Sequence, residues 1–448
     1  MAIGERRFGP LLTKLVIVGL LTLGMLWPLS KVQSLIDDRQ QLQQQAYTRV
    51  ANAWGGQQII GGPILSVPTQ EMTTVLNPAT NEREPLWKAG SPIRLLSEKL
   101  RIENTVRVEM RSKGIYSTPV YVSQVVISGE FAAAAVQSAL LVPAAQRVLP
   151  SQAQLDLPLS GLKSLRAVER FEFAGRSLRP QSGQIAELAA LTVPLDLSAL
   201  ESGVTLPFRI ELEVAGSDSL RFLPLGAATT VTAVANWPHP DFNGEFLPVS
   251  REITAAGFKA QWKVLQLNRG IPQQWRGDAV SAKSLCAAAF GFALFQPADL
   301  YTRNYRAVRY GILFVAITFL CFFAWEHVSR ELRLHPMQYL LVGLALATFY
   351  LLLVALSEHV GFALAYAVAA AALVLLITIY IAGATGRRLA AAAIGAGLSI
   401  AYGLLFLILL SEDYALLLGA LLVFGVLAGL MLATRRLDWG AVGRPDSG

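Results

Sequence analysis

The sequence predicts an α+β membrane protein in which six transmembrane helices carry one large β-rich, sandwich-like extracytoplasmic domain, inserted between the first helix and the second. Three observations predict it. Apolar runs of membrane-crossing length stand at both ends of the chain, Arg residues mark alternate breaks between those runs, and a long middle segment alternates in short strands punctuated by Pro and Gly. A mean hydropathy of +0.46, with 53% hydrophobic and 15% charged residues, is too apolar for an ordinary soluble chain of 448 residues.

Residues 1–10, with Arg6 and Arg7, are read as a cytoplasmic N-terminus. The first span, 11–29, "LLTKLVIVGLLTLGMLWPL", is long enough to cross roughly 30 Å of hydrocarbon as a helix, with Lys14 near its start placed to snorkel. A secretory signal begins on the same basic residues. This run exceeds a signal's apolar core and no small-x-small cleavage site follows, so it is read as a retained anchor.

Residues 30–304 form the outer domain. It opens on a polar helix in which Val32, Leu35, Ile36, Leu42, Ala46, Val50 and Ala53 recur near helical spacing. Packing of that face on the domain is the simpler reading, and a partner-binding coiled coil is the alternative. Strands follow: "LRIENTVRVEMRS" alternates Val106, Val108 and Met110 with Arg107, Glu109 and Arg111, and "VYVSQVVISGEF", "LPFRIELEVAG", "TTVTAVANW" and "FKAQWKVLQL" have β-branched and aromatic enrichment. A Pro-flanked stretch at 143–152 suggests a division into two subdomains.

The remaining spans are 307–327, 337–356, 361–383, 389–410 and 414–433, and residues 434–448 are a cytoplasmic tail. Arg330 and Arg333, Arg387 and Arg388, and Arg435 and Arg436 mark alternate breaks, whereas "SEHV" (357–360) and "SED" (411–413) contain no Lys or Arg. Both termini are therefore expected on the cytoplasmic side. Arg306 and Arg309, at the outer end of the second span, run against the rule, which weakens beside a large translocated domain.

Of the formal charge of +7, the outer segment holds 26 Lys and Arg against 23 Asp and Glu. The balance is mostly topogenic, and no basic stripe suggests nucleic acid. Cys286 is the one cysteine of the outer segment and Cys321 falls in the second span, so no intrachain disulfide is expected.

Enzymatic chemistry finds little support. Four His are dispersed, with His239 alone in the outer domain, His327 and His335 near the inner surface and His359 in an outer loop, and no ligand spacing for zinc occurs. "ANWPHPDFNGEFLP" (235–248) crowds Trp237, His239 and Asp241 together. With Pro on both sides of His239 and no GxSxG elbow in the chain, it reads as a structural corner, in which Trp237, Phe242 and Phe246 bury apolar area, Asn243 and Gly244 turn the chain, and Asp241 or His239 ties backbone groups. A binding surface is the other reading. Glu211 and Glu213 share one solvent-facing side of a strand, and no phosphate-binding Gly loop is present. No catalytic, metal or cofactor-binding residue is assigned.

Transport is the mechanistic rival. The third to sixth spans have no charged residue between their ends. Ala391, Gly395, Ser399 and Gly403, and then Gly425 and Gly429, repeat every four residues, which favours close helix packing and leaves homo-oligomer contacts open. Glu358 and His359, adjacent in the break after the third span, are read as a solvated loop that satisfies helix ends, with a polar site as the alternative.

Several long stretches resemble the CreD family of inner-membrane proteins: residues 335–372 ("HPMQYLLVGLALATFY…"), 306–323, 54–68 ("WGGQQIIGGPILSVP") and 237–264 ("WPHPDFNGEFLPVSREITAAGFKAQWKV"). The resemblance is least in residues 70–200. It marks Trp54, Gly55, Gln57, Gly62, Pro63, Trp237, His239, Phe242, Gly244, His335, Glu358 and His359 as family-motif or interaction positions, and it offers no catalytic residue to carry over. It implies a multi-pass protein of the bacterial inner membrane that supports cell-envelope integrity and stress response, with altered tolerance to colicins and envelope-active antibiotics, under a two-component regulatory system. Its partners would be the lipid bilayer and an unnamed envelope ligand. A carrier for a lipid or neutral solute, or a sensory partner of an envelope-stress pathway, is the alternative.

Overall fold

The computed structural model describes residues 10–76, 83–199, 205–295, 300–329, 334–411 and 415–435. It divides into two compact units, Gln45–Pro297 and the flanking Met1–Gln44 with Ala298–Gly448.

The flanking unit is helical. Its elements are α1 (Pro10–Gly24), the first part of α2 (Leu26–Trp54), α5 (Leu300–Ser329), α6 (Pro336–Val360), α7 (Phe362–Thr385), α8 (Arg388–Leu410) and α9 (Ala415–Thr434); the short α3 (Ala133–Leu140) and α4 (Ala282–Ala287) belong to the other unit. Among the described residues five helical stretches are long and apolar enough to cross a membrane: Thr13–Trp54, Leu300–Phe323, Pro336–Val360, Phe362–Thr385 and Arg388–Leu410. The sixth expected span is represented by the shorter apolar stretch Leu417–Gly429 within α9.

Several boundaries differ from those expected, for local reasons. The span 11–29 is interrupted at Met25, because Pro28 has no N–H for the carbonyl of Gly24 and its ring crowds that carbonyl. Helix α5 begins at Leu300 rather than 307, with Tyr301 and Asn304 buried in the helical unit. Residues 357–360 are the last turn of α6 and not a loop, since the helix runs on to Val360 and ends where Gly361 adopts a φ of 80°. Pro336 at the first position and His335 as the cap set the start of α6. Arg6, Arg7, Arg330, Arg333, Arg436 and residues 412–413 lie outside the described residues.

An aromatic cluster forms the centre of this unit. Phe349 lies with its ring 4.8 Å from Tyr402 and 5.5 Å from Tyr366, and Phe314 is 5.7 Å from Tyr402. The small-residue repeat packs only in part. A Cβ on Gly395 would stand 2.4 Å from Thr378 Oγ1, so α7 and α8 approach closely there, whereas nothing lies within 4 Å of a Cβ on Gly403, Gly425 or Gly429. Gly403 lines a groove between the two helices together with Tyr366 and Phe406, whose rings are 5.0 Å apart. Close packing was expected at all of these positions and is found, among these glycines, at Gly395.

The other unit is a two-sheet structure with one hydrophobic core. One sheet runs Arg176–Ser177, Leu165–Phe173, Thr205–Ser217, Tyr116–Ala132, Arg83–Lys113, Gly226–Ala235, Gly257–Leu265 and Ser250–Thr254; every neighbouring pair is antiparallel except Arg83–Lys113 with Gly226–Ala235. In the second sheet Gln181–Ile185, Leu188–Leu195 and Ala153–Leu159 are followed by both Gln58–Ile60 and Ile64–Leu76. Gln58–Ile60 continues through Ser219–Phe222 to Phe290–Leu294 and Pro240–Gly244, and Ile64–Leu76 continues to Arg83–Lys113 and Gln274–Arg276. The 31-residue strand Arg83–Lys113 thus belongs to both sheets.

Alternation explains the layers: Ile102, Val106 and Val108 face the core while Arg101, Glu103 and Arg107 face solvent. Met110, expected to share that buried side, is 50% exposed. Residues 143–152, where two subdomains could divide, instead contain the strand Gln146–Val148, paired with Ile64–Leu76 inside the single unit.

Candidate functional site

The motif at 54–63 folds into a polar knot on the β unit. Gly55 holds a φ of 117° with Ser164 Cβ 2.8 Å from where its own Cβ would stand, and Gly56 holds 68°. This turn brings Gln58 inside, where its amide donates to the Gly55 carbonyl and accepts from Ser164 Oγ at 2.7 Å and Ser160 Oγ at 2.9 Å. The marked neighbour, Gln57, stays exposed and donates to Asp218 while accepting from Arg221 at 3.2 Å. Trp54 donates to the Tyr121 carbonyl at 3.1 Å, and the guanidinium groups of Arg111 and Arg166 lie 5.0 and 4.5 Å from its ring. Gly62 has no room for a Cβ beside Leu100, and Pro63 is buried.

The stretch 235–248 makes a corner through different atoms from those expected. Asn236 fastens the strand end, accepting from the Val108 N–H at 2.7 Å and donating to its carbonyl at 3.2 Å. Trp237 donates to the carbonyls of His239 and Phe295. The His239 ring is exposed and Asp241 accepts from the Asn243 side chain at 3.1 Å, so neither ties the backbone through its side chain. Pro240–Gly244 is itself a strand. Phe242 sets its ring 5.5 Å from Phe258 and 5.7 Å from Trp262, and Gly244 (φ 102°) presses against the Ala289 carbonyl, where no side chain fits.

The helical unit holds two polar ties that sequence reasoning missed. Lys14 does not merely snorkel: its ammonium group bonds to Glu326 and donates to the Leu334 carbonyl at 2.8 Å, while the Tyr339 hydroxyl donates to the same Glu at 3.4 Å. In the last turn of α6, Glu358 is not a solvated loop residue. Its side chain is 10% exposed, accepts from the Tyr301 hydroxyl at 3.0 Å and lies 3.6 Å from Arg39. Asn304, fully buried, donates to Ser357 Oγ at 2.8 Å. His359 points to the exterior, and exposed His335 caps α6, its Nδ1 accepting from the Met337 N–H at 3.2 Å.

Two further charged groups are buried in the β unit. Asp156 accepts from Ser66 Oγ at 2.7 Å and Thr192 Oγ1 at 2.6 Å; burial raises its pKa, against the pull of those two hydroxyls and of the field of Arg94. Arg269 donates to the Pro224 carbonyl and to Gln273, whose amide reaches the carbonyls of Leu96 and Ser97, and burial lowers its pKa to about 10. Isolated charges of this kind have no spacing signature in a sequence.

Chemically, these arrangements fasten elements together. Burial pushes the Cys286 thiol up, away from a reactive thiolate. Among the described residues no three His, Cys, Asp or Glu gather as metal ligands. The structure brings Trp54, Gly55 and Gln57 into one knot and Trp237, Phe242 and Gly244 into one corner, and places Glu358, itself largely buried, beside the half-exposed Arg39.

Comparison with known proteins supplies the context. Residues 10–440 match the family model described as "Inner membrane protein CreD". The inner membrane protein CreD of Escherichia coli (strain K12) is 30% identical over 424 residues, which cover 94% of this chain and 92% of that one. Neither description carries a catalytic activity. Among solved structures, an M1 zinc metallopeptidase from Deinococcus radiodurans overlaps 38% of each chain at 12% identity with a TM-score of 0.19, too slight a likeness to bear on fold or chemistry.

Proposed function

The chain belongs to the CreD family of inner-membrane proteins, and from that premise we propose that it supports cell-envelope integrity without an enzymatic step, altering tolerance to colicins and envelope-active antibiotics. In this reading six spans hold the β unit on the outer face of the membrane, and both termini are cytoplasmic. What supports it is the family match across residues 10–440, covering the β unit as well as the helices on both sides. The charge pattern agrees, with Arg387 and Arg388 at the α7–α8 break and no Lys or Arg in 357–360. The β unit binds or stabilises an envelope component, and the open face of α9 at Gly425 and Gly429 meets a second copy of the chain.

The test compares cells lacking the protein with cells making the full chain, or a chain in which residues 58–295 are replaced by a flexible linker, at equal membrane levels. Challenged with detergent, colicin and cell-wall antibiotics, only the full chain should restore wild-type tolerance. Restoration by the shortened chain would overturn the reading. For topology, Ser250→Cys in a background without Cys286 and Cys321 should react with an impermeant thiol reagent from outside, and Ser447→Cys should not.

A further inference from the structure

At one end of the β unit three ties meet on a single rung of the sheet. Tyr121, directly opposite Val108, accepts from Trp54, the last residue of α2; Val108 holds the Asn236 side chain through both its backbone groups; and Trp237, next in the chain, donates to the Phe295 carbonyl. The chain therefore enters and leaves the β unit at this rung. From Phe295 to the start of α5 at Leu300 there is at most about 18 Å of chain.

The neighbouring strands stop here, Gly226–Ala235 opposite Val106 and Thr205–Ser217 opposite Val120, but the hairpin of Arg83–Lys113 and Tyr116–Ala132 does not. Further pairs, from Met110 with Pro119 to Lys113 with Tyr116, carry it about 14 Å past Glu109, away from the body of the unit, to a tight turn at Gly114 and Ile115. Ile115 at the turn is 52% exposed, and Met110, which continues the alternation of Val106 and Val108, is 50% exposed. Arg111 bonds to Glu109 at 3.0 Å and lies over the Trp54 ring, so its charge is already met, while Ser112 and Lys113 are exposed. No Asp or Glu occurs between Glu109 and Glu130. An apolar tip beside an ammonium group on a flexible stem, with no carboxylate near in sequence, suits the interfacial layer of a bilayer, where the Ile meets acyl chains and the Lys reaches back to phosphates. Exposure alone does not make such a contact. Leu267 is 86% exposed, but it follows Leu265, which pairs with Ala228 at the opposite end of the sheet.

We propose that the hairpin tip Lys113–Ile115 is a membrane contact of the β unit, with Ile115 about 5–10 Å into the interfacial layer and Lys113 on lipid phosphate. The contact rests on the helices crossing a membrane and on where the chain enters and leaves the β unit, not on the envelope role, so either reading can fail alone.

The test uses the full chain with Cys286→Ser and Cys321→Ser, reconstituted in vesicles of phosphatidylglycerol and phosphatidylethanolamine. An NBD fluorophore on Ile115→Cys should emit to the blue of the same probe on Leu267→Cys, be quenched by lipids carrying a shallow nitroxide, and be shielded from iodide present on both sides of the membrane. Ile115→Asp should abolish the lipid quenching of a probe on Ser112→Cys. That quenching should be stronger with phosphatidylglycerol present than in phosphatidylcholine alone, and Lys113→Gln should remove the excess. Equal emission and quenching at positions 115 and 267, undiminished quenching at 112 in Ile115→Asp, or an excess that survives Lys113→Gln would overturn the proposal. So would a probe at 115 shielded from iodide and nitroxide alike, since protein, a second copy included, would then cover the tip.

Discussion

In the helical unit Lys14 meets Glu326 and Arg39 meets Glu358, whereas in the β unit Asp156 and Arg269 meet hydroxyls and carbonyls. Asp156 and Arg269 are 4% and 6% exposed, and neither has an oppositely charged partner within 4 Å among the described residues. The backbone explains the difference. A helix uses its own carbonyls and N–H groups four residues away, so a charged side chain on it must find another side chain or a carbonyl beyond a helix end, as Lys14 does at Leu334. Between strands and loops, carbonyls such as that of Pro224 remain free to accept.

The comparison is tested most strongly at Lys14. Lys14→Met leaves Glu326 buried with Tyr339 alone and should cost about 3–5 kcal/mol, read as a lower unfolding midpoint in micelles. The double variant Lys14→Met with Glu326→Gln should recover most of that loss. A double variant no more stable than the single one would mean that the pair is not a unit.

Arg269→Leu should cost less, about 1–3 kcal/mol, because it strands the Pro224 carbonyl and Gln273 rather than an opposite charge. Hydrogen exchange in the full chain should quicken in residues 219–226 and 95–97. An unchanged rate would show that the guanidinium is dispensable and would erase the contrast.

Asp156 sharpens the contrast through pH. Its folded pKa lies above the unfolded value, so its contribution to stability is fully present below about pH 4 and falls as pH rises through the folded pKa. Asp156→Asn should remove that decline, leaving exchange in residues 153–159 at neutral pH as slow as in the parent or slower. A variant that keeps the same pH dependence would place its origin elsewhere.

The smallest effect belongs to Glu358→Gln. Arg39 is 41% exposed and the new amide oxygen still accepts from Tyr301, so a loss under about 1 kcal/mol is expected by the same unfolding measurement. A loss as large as at Lys14 would show that both ties are buried alike.

Much of the architecture was legible because it is periodic. The apolar runs of α5 to α8 announce their length, and the alternation at 100–108 announces a strand. The continuity of Arg83–Lys113 was not, since "AGSP" within it looks like a turn. In the sheet Gly90 packs on Thr69, and a register shift between Val67 and Thr69 absorbs the irregularity. The polar ties were hidden for another reason. Lys14 and Glu326 stand 312 positions apart, each at the end of an apolar run, where a charge looks topogenic. In the 235–248 corner the aromatic packing followed from residue type, but the tie at Asn236 depends on Val108, in a strand far away in sequence.

One feature of the β unit bears on how it is made. Its earliest strand, Gln58–Ile60, and its latest, Phe290–Leu294, flank the same short strand, Ser219–Phe222. At the spacing of adjacent strands the first and last are only about 10 Å apart. At roughly 5–20 residues per second, residue 58 leaves the ribosome some 12–50 s before residue 294. Ser219–Phe222 itself emerges only about 4–15 s before residue 294, and for that shorter interval the sheet is open there, with Leu220 and Phe222 lacking one neighbour. A chaperone that recognises an unpaired apolar edge therefore has a defined window on this chain, which shuts when Phe290–Leu294 arrives.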